Sequence, residues 1–392
     1  NNEVTFELVS DMAWKDEAID LDTWYINYSK ARYGVCPKPM AEAWQLLRKT
    51  SYGSMTDHPR FGFQDASWYS GTINKDPCVF EAIEKFLSCA DELKESELYR
   101  ADALEFAATL LCHKAEDWFG YAYNAHQNLD FETRDKAGKW ALQLLTDADR
   151  LLENHPTLNL QRWIDFARAT SKDVKQQDKY EKDARRILTV WGAPKIKSGV
   201  NDYAARMWGG LIRDYYRDRM AGKLESLKLN ESYDKRAFED AWVLKKGLSE
   251  ISSFSNPLDS AIDLVKQAME KPLPITEKTD DIIVGEWSLK DKTMEWSIKR
   301  EYLPRIKGVK FIYAEGKSKV NIKRVDLIAD GLSVANSERM RTIDKKNLNS
   351  VYSFNLAKEV RANNGASIKV SFSNGEESKN ARGNVILILK DE

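Results

Sequence analysis

Cysteine is scarce in this sequence: four residues, Cys36, Cys78, Cys89 and Cys112, stand in 392, with no Cys-x-x-Cys pair and no histidine at ligand spacing. That excludes a disulfide-stapled scaffold and a thiolate metal site, and the cysteines read as free buried thiols with a pair left open. Histidine is equally sparse, with His58, His113, His126 and His155 standing far apart. No HExxH, P-loop, GxSxG or GxGxxG pattern occurs, so neither metal nor cofactor is expected. Charge of one sign is missing as well. Sixty basic and 61 acidic residues leave a net charge of −1, and without a basic excess nucleic acid is not an expected partner. No run approaches the ~20 apolar residues of a membrane span. The opening NNEVTFELVSDMAW has neither a signal peptide nor an initiator methionine and is already on a helical pattern, so it reads as the middle of something longer.

Aromatics, by contrast, are plentiful. Of twelve tryptophans, ten precede residue 250, spread over successive helical segments. Most read as core anchors, and some fit a sugar-stacking surface, since an indole matches the C–H face of a pyranose.

Periodicity divides the chain in two. From Glu3 to about Lys271 apolar residues recur at the three-and-four spacing of helices, with Asp76-Pro77 as a start signal and Gly34, Gly53 and Pro156 as stops. Ser54 to Asn74 has no period and reads as a long loop. Lys271-Pro272-Leu273-Pro274 cannot continue a helix. Beyond it apolar residues alternate with period two in six runs, with hairpin signals at Asp330-Gly331 and Asn374-Gly375. The expected fold is multidomain α and β, an all-α helical bundle or partial toroid over 1–271, a linker at 272–279 and a small antiparallel β-sandwich over 280–392. Trp287 and Trp296 in the β part read as a two-tryptophan core, with sugar stacking as the alternative.

The chain is organised around Arg185 to Met220. A helix pattern through Tyr180, Ala184, Ile187, Leu188 and Trp191 meets Gly192 and Pro194. A second is expected to start at Asn201 or Asp202 as N-cap and to bury Tyr203, Met207, Trp208, Leu211, Ile212, Tyr215 and Tyr216. Gly209-Gly210 interrupts that face at about 1 kcal/mol per glycine, which predicts something packed against the backbone there. The acidic pairs Glu116-Asp117 and Asp147-Asp149 read as polar helix faces, and no two carboxyl groups are marked as facing each other across a cleft.

Six segments in this order, NNEVTFELVSDMAW (1–14), ARYGV (31–35), AWQLLRKTSY (43–52), SWYS (67–70), YEKDARRILTVWG (180–192) and NDYAARMWGGLIRDYY (201–216), resemble the C-terminal part of the alpha-N-acetylglucosaminidase family of glycoside hydrolases. The resemblance covers roughly residues 1–270. It implies an all-α domain packed over a catalytic (β/α)8 barrel that holds two glutamates. Both would lie upstream of Asn1, so this chain alone has no catalytic residue and is expected to be inactive. It implies terminal alpha-linked N-acetylglucosamine as substrate class, cleaved with retention through a covalent glycosyl-enzyme, and a secreted or periplasmic location. It also implies that Trp191, Val200 and Tyr203 help close the sugar pocket, with Trp68 and Tyr69 as weaker candidates. Read without it, Trp191 and Tyr203 suit a packed helix-end pair better than a sugar contact, and with it the two readings stand level. The alternative function is a free-standing helical carbohydrate- or protein-binding scaffold with a β tail.

Overall fold

The computed structural model describes residues 3–53, 61–64, 76–153, 155–191, 202–229, 231, 233–273, 279–289, 292–338, 340–344, 348–354, 356, 360–373 and 381–391. The order of elements is twelve α-helices followed by nine strands among the described residues: α1 (Glu3–Ala13), α2 (Leu21–Tyr33), α3 (Lys38–Lys49), α4 (Pro77–Leu87), α5 (Ala90–Leu93), α6 (Glu97–Gln127), α7 (Phe131–Glu153), α8 (Leu160–Ala169), α9 (Val174–Leu188), α10 (Asp218–Leu229), α11 (Lys235–Leu244) and α12 (Pro257–Glu270), then β1 (Thr279–Ser288), β2 (Thr293–Ile298), β3 (Ile306–Glu315), β4 (Val320–Ala329), β5 (Leu332–Ser337), β6 (Arg341–Ile343), β7 (Asn349–Ser353), β8 (Ala366–Phe372) and β9 (Arg382–Lys390). The expected helical part followed by an antiparallel β part is what the chain forms. Among the described residues no helix is long and apolar enough to cross a membrane.

Two compact units are present. The first takes Asn1–Trp118, Lys139–Ala221 and Asp234–Pro272, and the second takes Phe119–Gly138, Gly222–Tyr233 and Leu273–Glu392.

Local chemistry explains the helix ends in the first unit. Asp20, Asp76, Asn159, Asp173 and Asp234 each accept a backbone N–H of the first turn they precede, satisfying donors that a helix start otherwise leaves bare. Gly34, at φ 97°, closes α2 through its N–H to the Lys30 carbonyl. The core is aromatic near the start of the chain, where Tyr25 stacks on Trp44 at 5.4 Å and Phe86 on Tyr99 at 5.2 Å. Farther along it is aliphatic, with Leu110, Leu145 and Leu151 fully buried.

In the second unit the strands form two antiparallel sheets, ordered β1-β9-β3-β7 and β2-β8-β4-β5, with β6 beside β4. Phe311 and Leu387 from one sheet and Leu327 and Ile368 from the other share a single core, which makes the pair a sandwich. The Asp330-Gly331 turn joins β4 to β5 with both residues at positive φ, 51° and 79°, the hairpin geometry its sequence predicts. Asn374-Gly375 lies outside the described residues. Trp287 is a core residue, 1% exposed, whose indole N–H donates to the Ile312 carbonyl at 3.1 Å. Trp296 covers Gly285 and donates to the Glu286 carbonyl. Their side chains are thus committed within the β part.

Candidate functional site

The junction after α9 is built from a helix end and a buried ion pair. The Thr189 hydroxyl donates to the Arg185 carbonyl at 2.7 Å and the Trp191 N–H to the Arg186 carbonyl at 2.7 Å, which turns the chain out of the helix. Trp191 itself stands at φ 58°. When the described chain resumes, the Asp202 N–H returns to the Thr189 carbonyl at 2.6 Å. The Asp202 carboxylate accepts from Arg219 at 2.6 Å with both side chains wholly buried. Trp191 and Tyr203 are thereby brought together, ring centroids 4.8 Å apart and planes at 41°. The pair is not sealed, because Trp191 keeps 42% of its surface exposed. Trp191, Asp202 and Ala205 all adopt positive φ, at 58°, 57° and 48°. A left-handed non-glycine residue costs about 1–3 kcal/mol and persists only where its surroundings over-determine it. Val200, Trp68 and Tyr69 lie outside the described residues.

The helix expected to begin at Asn201 or Asp202 begins later. The segment after Asp202 is irregular, a π-helical turn runs from Ile212 to Arg217, and α10 follows. Asp202 cannot act as N-cap because its carboxylate is taken by Arg219, and the left-handed Ala205 and Gly210 break the helical path. The cap comes instead from α7. Asp149 accepts from the Gly210 N–H at 2.7 Å and the Arg213 N–H at 2.9 Å, and it also pairs with the Arg213 guanidinium. Burial pushes the Asp149 carboxyl up, against the pull of Arg213 and the two amides. Asp147 and Asp149, which read as a polar face, are 6% and 0% exposed. The glycine expectation holds: a Cβ on Gly209 would sit 2.8 Å from the Leu152 carbonyl carbon, and Gly209 forms a parallel bridge with Asn159.

Sequence reasoning also missed the polarity of α9. Its buried residues are Glu181 and Arg185, paired at 2.9 Å, while Ile187 is 55% exposed. Arg185 also donates to the Gly247 carbonyl at 2.7 Å and lies 4.6 Å from the Trp242 ring centroid. The signal was present as Glu and Arg four apart, the spacing at which helical side chains meet.

His155 holds the chain between α7 and α8. Its Nδ1 accepts from the Thr157 N–H at 3.2 Å and the Leu158 N–H at 3.0 Å, which requires an unprotonated nitrogen there. Burial lowers its pKa to about 4, with the Asp102 carboxylate opposing. Because the unfolded value is about 6.5, the unfolded chain binds the extra proton between those pH values. His155 therefore stabilises the fold above about pH 6.5, and this contribution is lost as pH falls toward 4. Subtracting the urea-unfolding pH profile of His155→Gln from that of the unaltered chain is expected to leave a slope of at most one proton in this window. A flat difference would refute the assignment.

Four buried acids, Asp149, Glu181, Asp202 and Asp214, are each bound to arginine or lysine. A cavity of about 700 Å³ in the second unit, among Leu129, Phe131, Leu303, Phe354 and Leu356, has no carboxylate in its lining. Among the described residues no three His, Cys, Asp or Glu side chains are grouped to hold a metal ion.

Comparison with known proteins agrees with the junction's sequence motifs. Residues 24–267 match the family model of the alpha-N-acetylglucosaminidase (NAGLU) C-terminal domain. Human alpha-N-acetylglucosaminidase is 27% identical over 298 residues, 70% of this chain and 38% of that protein. A family 89 glycoside hydrolase from Clostridium perfringens, solved in complex with PUGNAc, superposes with a TM-score of 0.63 at 28% identity, covering 69% of this chain and 33% of that one. CpGH89 from Clostridium perfringens, with two glutamates replaced by glutamine and in complex with its substrate GlcNAc-alpha-1,4-galactose, gives 0.61 at 27% identity over 68% and 33% of the two chains. The present chain thus spans only 33–38% of the length of these relatives. With the match running through most of the helical elements, this chain belongs to the alpha-N-acetylglucosaminidase C-terminal domain family.

Proposed function

We propose that this chain is the helical C-terminal portion of a retaining alpha-N-acetylglucosaminidase and that Trp191 and Tyr203, with Val200, help close the pocket over a terminal alpha-linked N-acetylglucosamine. Trp68 is a weaker contributor. On this reading both catalytic glutamates belong to a (β/α)8 barrel outside these 392 residues, and the enzyme works in a secreted or periplasmic setting. Residues 1–271 act as the pocket-closing module, 272–279 as a linker and 280–392 as an accessory module, a division supported by the last helix ending at Glu270 and the first strand starting at Thr279. One observation carries the proposal: a tryptophan held in a left-handed backbone position, braced by a tyrosine, with two-fifths of its surface open. A pair whose only task was to plug a helix end would gain more by burying that surface.

The test is saturation-transfer NMR of the chain with methyl alpha-N-acetylglucosaminide. Trp191→Ala is expected to weaken binding about three- to tenfold, from the roughly 0.5–1.5 kcal/mol of an aromatic contact. Affinity unchanged by Trp191→Ala would overturn the pocket role. The chain by itself is expected to release no aglycone from an aryl alpha-N-acetylglucosaminide, and turnover at an intact enzyme's rate would show that its own carboxylates are catalytic.

A further inference from the structure

The cavity of about 700 Å³ in the second unit lies at one end of the β1-β9-β3-β7 sheet, where β3 begins and β7 and β9 finish. The sugar-closing role of Trp191 and Tyr203 makes no use of it. Along β9, Leu387 and Leu389 belong to the sandwich core, whereas Ile388 between them belongs to a separate small cluster with Leu129 and Val351. Lys390, two residues past Ile388, shares that outer face and lines the cavity.

Leu129 is a local anomaly. The Asp130 N–H returns to the Ala125 carbonyl at 2.8 Å to close α6, and Leu129 in this closing turn is left-handed at φ 58°. Glycine is the usual residue there, because it has no Cβ to clash. The leucine side chain is instead packed away: it is 8% exposed, and a Cβ on Gly308 would sit 2.6 Å from its Cδ1. Phe131, two residues on, has the Arg134 guanidinium 4.7 Å from its ring centroid. Leu129 and Phe131 thus form one fixed wall of the cavity, and the buried Leu303 and Phe354 form another.

A second irregularity meets them. The register of β3 against β9 slips between Ile306 and Gly308, which makes Lys307 the extra residue of a β-bulge, and its carbonyl accepts the Phe354 N–H at 3.0 Å. Such bulges re-aim a side chain. Lys307 and Lys390 bring two cationic groups to a lining that is otherwise apolar apart from Ser353, and among the described residues no acid joins them.

We propose that this cavity binds a single-chain amphiphile with an anionic head, of the class of a medium-chain carboxylate. Its chain lies among Leu129, Phe131, Leu303 and Phe354, and its carboxylate lies at Lys307 and Lys390. The volume falls within the roughly 300–1,000 Å³ of small-molecule sites. A carboxylate supplies the counter-charge that the two ammonium groups need once a guest displaces water beside them. A sugar would instead bring a ring of hydroxyls to walls whose side chains offer few partners.

Isothermal titration calorimetry of the full chain compares octanoate, decanoate and uncharged 1-octanol, all below micelle-forming concentrations. Decanoate is expected to bind about four- to fifteenfold more tightly than octanoate, because each buried methylene is worth up to about fourfold. Lys390→Glu is expected to weaken decanoate about three- to tenfold and to change octanol by less than about twofold. Ser353→Trp, at an exposed position on the edge strand β7, fills the cavity and is expected to abolish binding of all three. Circular dichroism verifies that each variant folds. No decanoate binding at millimolar concentration, equal affinity for octanoate and octanol, a Lys390→Glu effect equal on decanoate and octanol, or binding that Ser353→Trp leaves intact would each overturn the proposal. Co-sedimentation with phosphatidylglycerol vesicles that Ser353→Trp abolishes, without binding of free decanoate, would mark the cavity as a membrane contact and overturn the free ligand. None of these readouts involves a sugar, so the proposal stands or falls apart from the role of Trp191.

Discussion

Arg219→Met is expected to lower the unfolding free energy of the helical unit by about 3–5 kcal/mol, the cost of breaking a fully buried ion pair from one side. The arginine donates to the Asp202 carboxylate at 2.6 Å, the Phe63 carbonyl at 2.7 Å and the Tyr215 hydroxyl at 3.1 Å, and its guanidinium carbon lies 4.7 Å from the Tyr215 centroid. With the guanidinium gone, the carboxylate of Asp202, 0% exposed, stays buried without its cation. Adding Asp202→Asn removes that stranded charge, so the double variant is expected to recover part of the loss. Urea unfolding followed by tryptophan fluorescence measures both, and a cost below about 1 kcal/mol for Arg219→Met would show that the site relaxes or admits water.

The same ion pair links stability to the candidate site. Asp202 immediately precedes Tyr203, and its N–H is bonded to Thr189, two residues before Trp191. Arg219 reaches this junction from α10, so a buried ion pair from another helix fixes where the two rings meet. Loss of the pair is expected to loosen Tyr203 from Trp191, and on the proposed pocket role sugar binding in Arg219→Met falls along with stability.

Much of this was legible from residue patterns. The Asp76-Pro77 start, the Gly34 stop and the switch to period two after Pro274 all rest on local rules, and local rules need only neighbouring residues. The Trp191–Tyr203 contact is what the packed helix-end reading of those two residues anticipates. What escaped is non-local. Asp202 has the composition of an N-cap, but Arg219 claims its carboxylate, and the cap for the later helix comes from Asp149, 61 residues before Gly210. The burial of Glu181 and Arg185 escaped for a related reason: periodicity counts apolar residues, whereas this face of α9 is held by charge pairing and by the Gly247 backbone. Trp163 and Trp208 were each visible as aromatics on their own segments, but their stack, with centroids 5.4 Å apart, depends on the Asn159–Gly209 bridge, which no spacing announces.

Gly209→Ala supplies the second large effect, and its sign separates packing from propensity. Alanine is the better helix former and narrows the unfolded ensemble, so at an unobstructed helical position the exchange stabilises by about 0.5–1 kcal/mol. Gly120 in α6 is such a position, because a Cβ there would meet nothing within 4 Å. Gly209 is the opposite. Its Cβ would lie 2.8 Å and 2.9 Å from the Leu152 carbonyl carbon and oxygen and 3.0 Å from the Glu153 nitrogen, all backbone atoms at the end of α7. Neither side can retreat. Gly209 is bonded to Leu158 and Leu160, and α7 supplies the Asp149 carboxylate that caps the next residue. Gly209→Ala is therefore expected to cost about 3 kcal/mol, at the upper end for overpacking, while Gly120→Ala gains up to about 1 kcal/mol. Urea unfolding of the two variants side by side measures both shifts. A stabilised Gly209→Ala would mean that the approach to α7 is looser than these contacts require, and that Trp208, set by the same segment, is not held rigidly beneath Trp163.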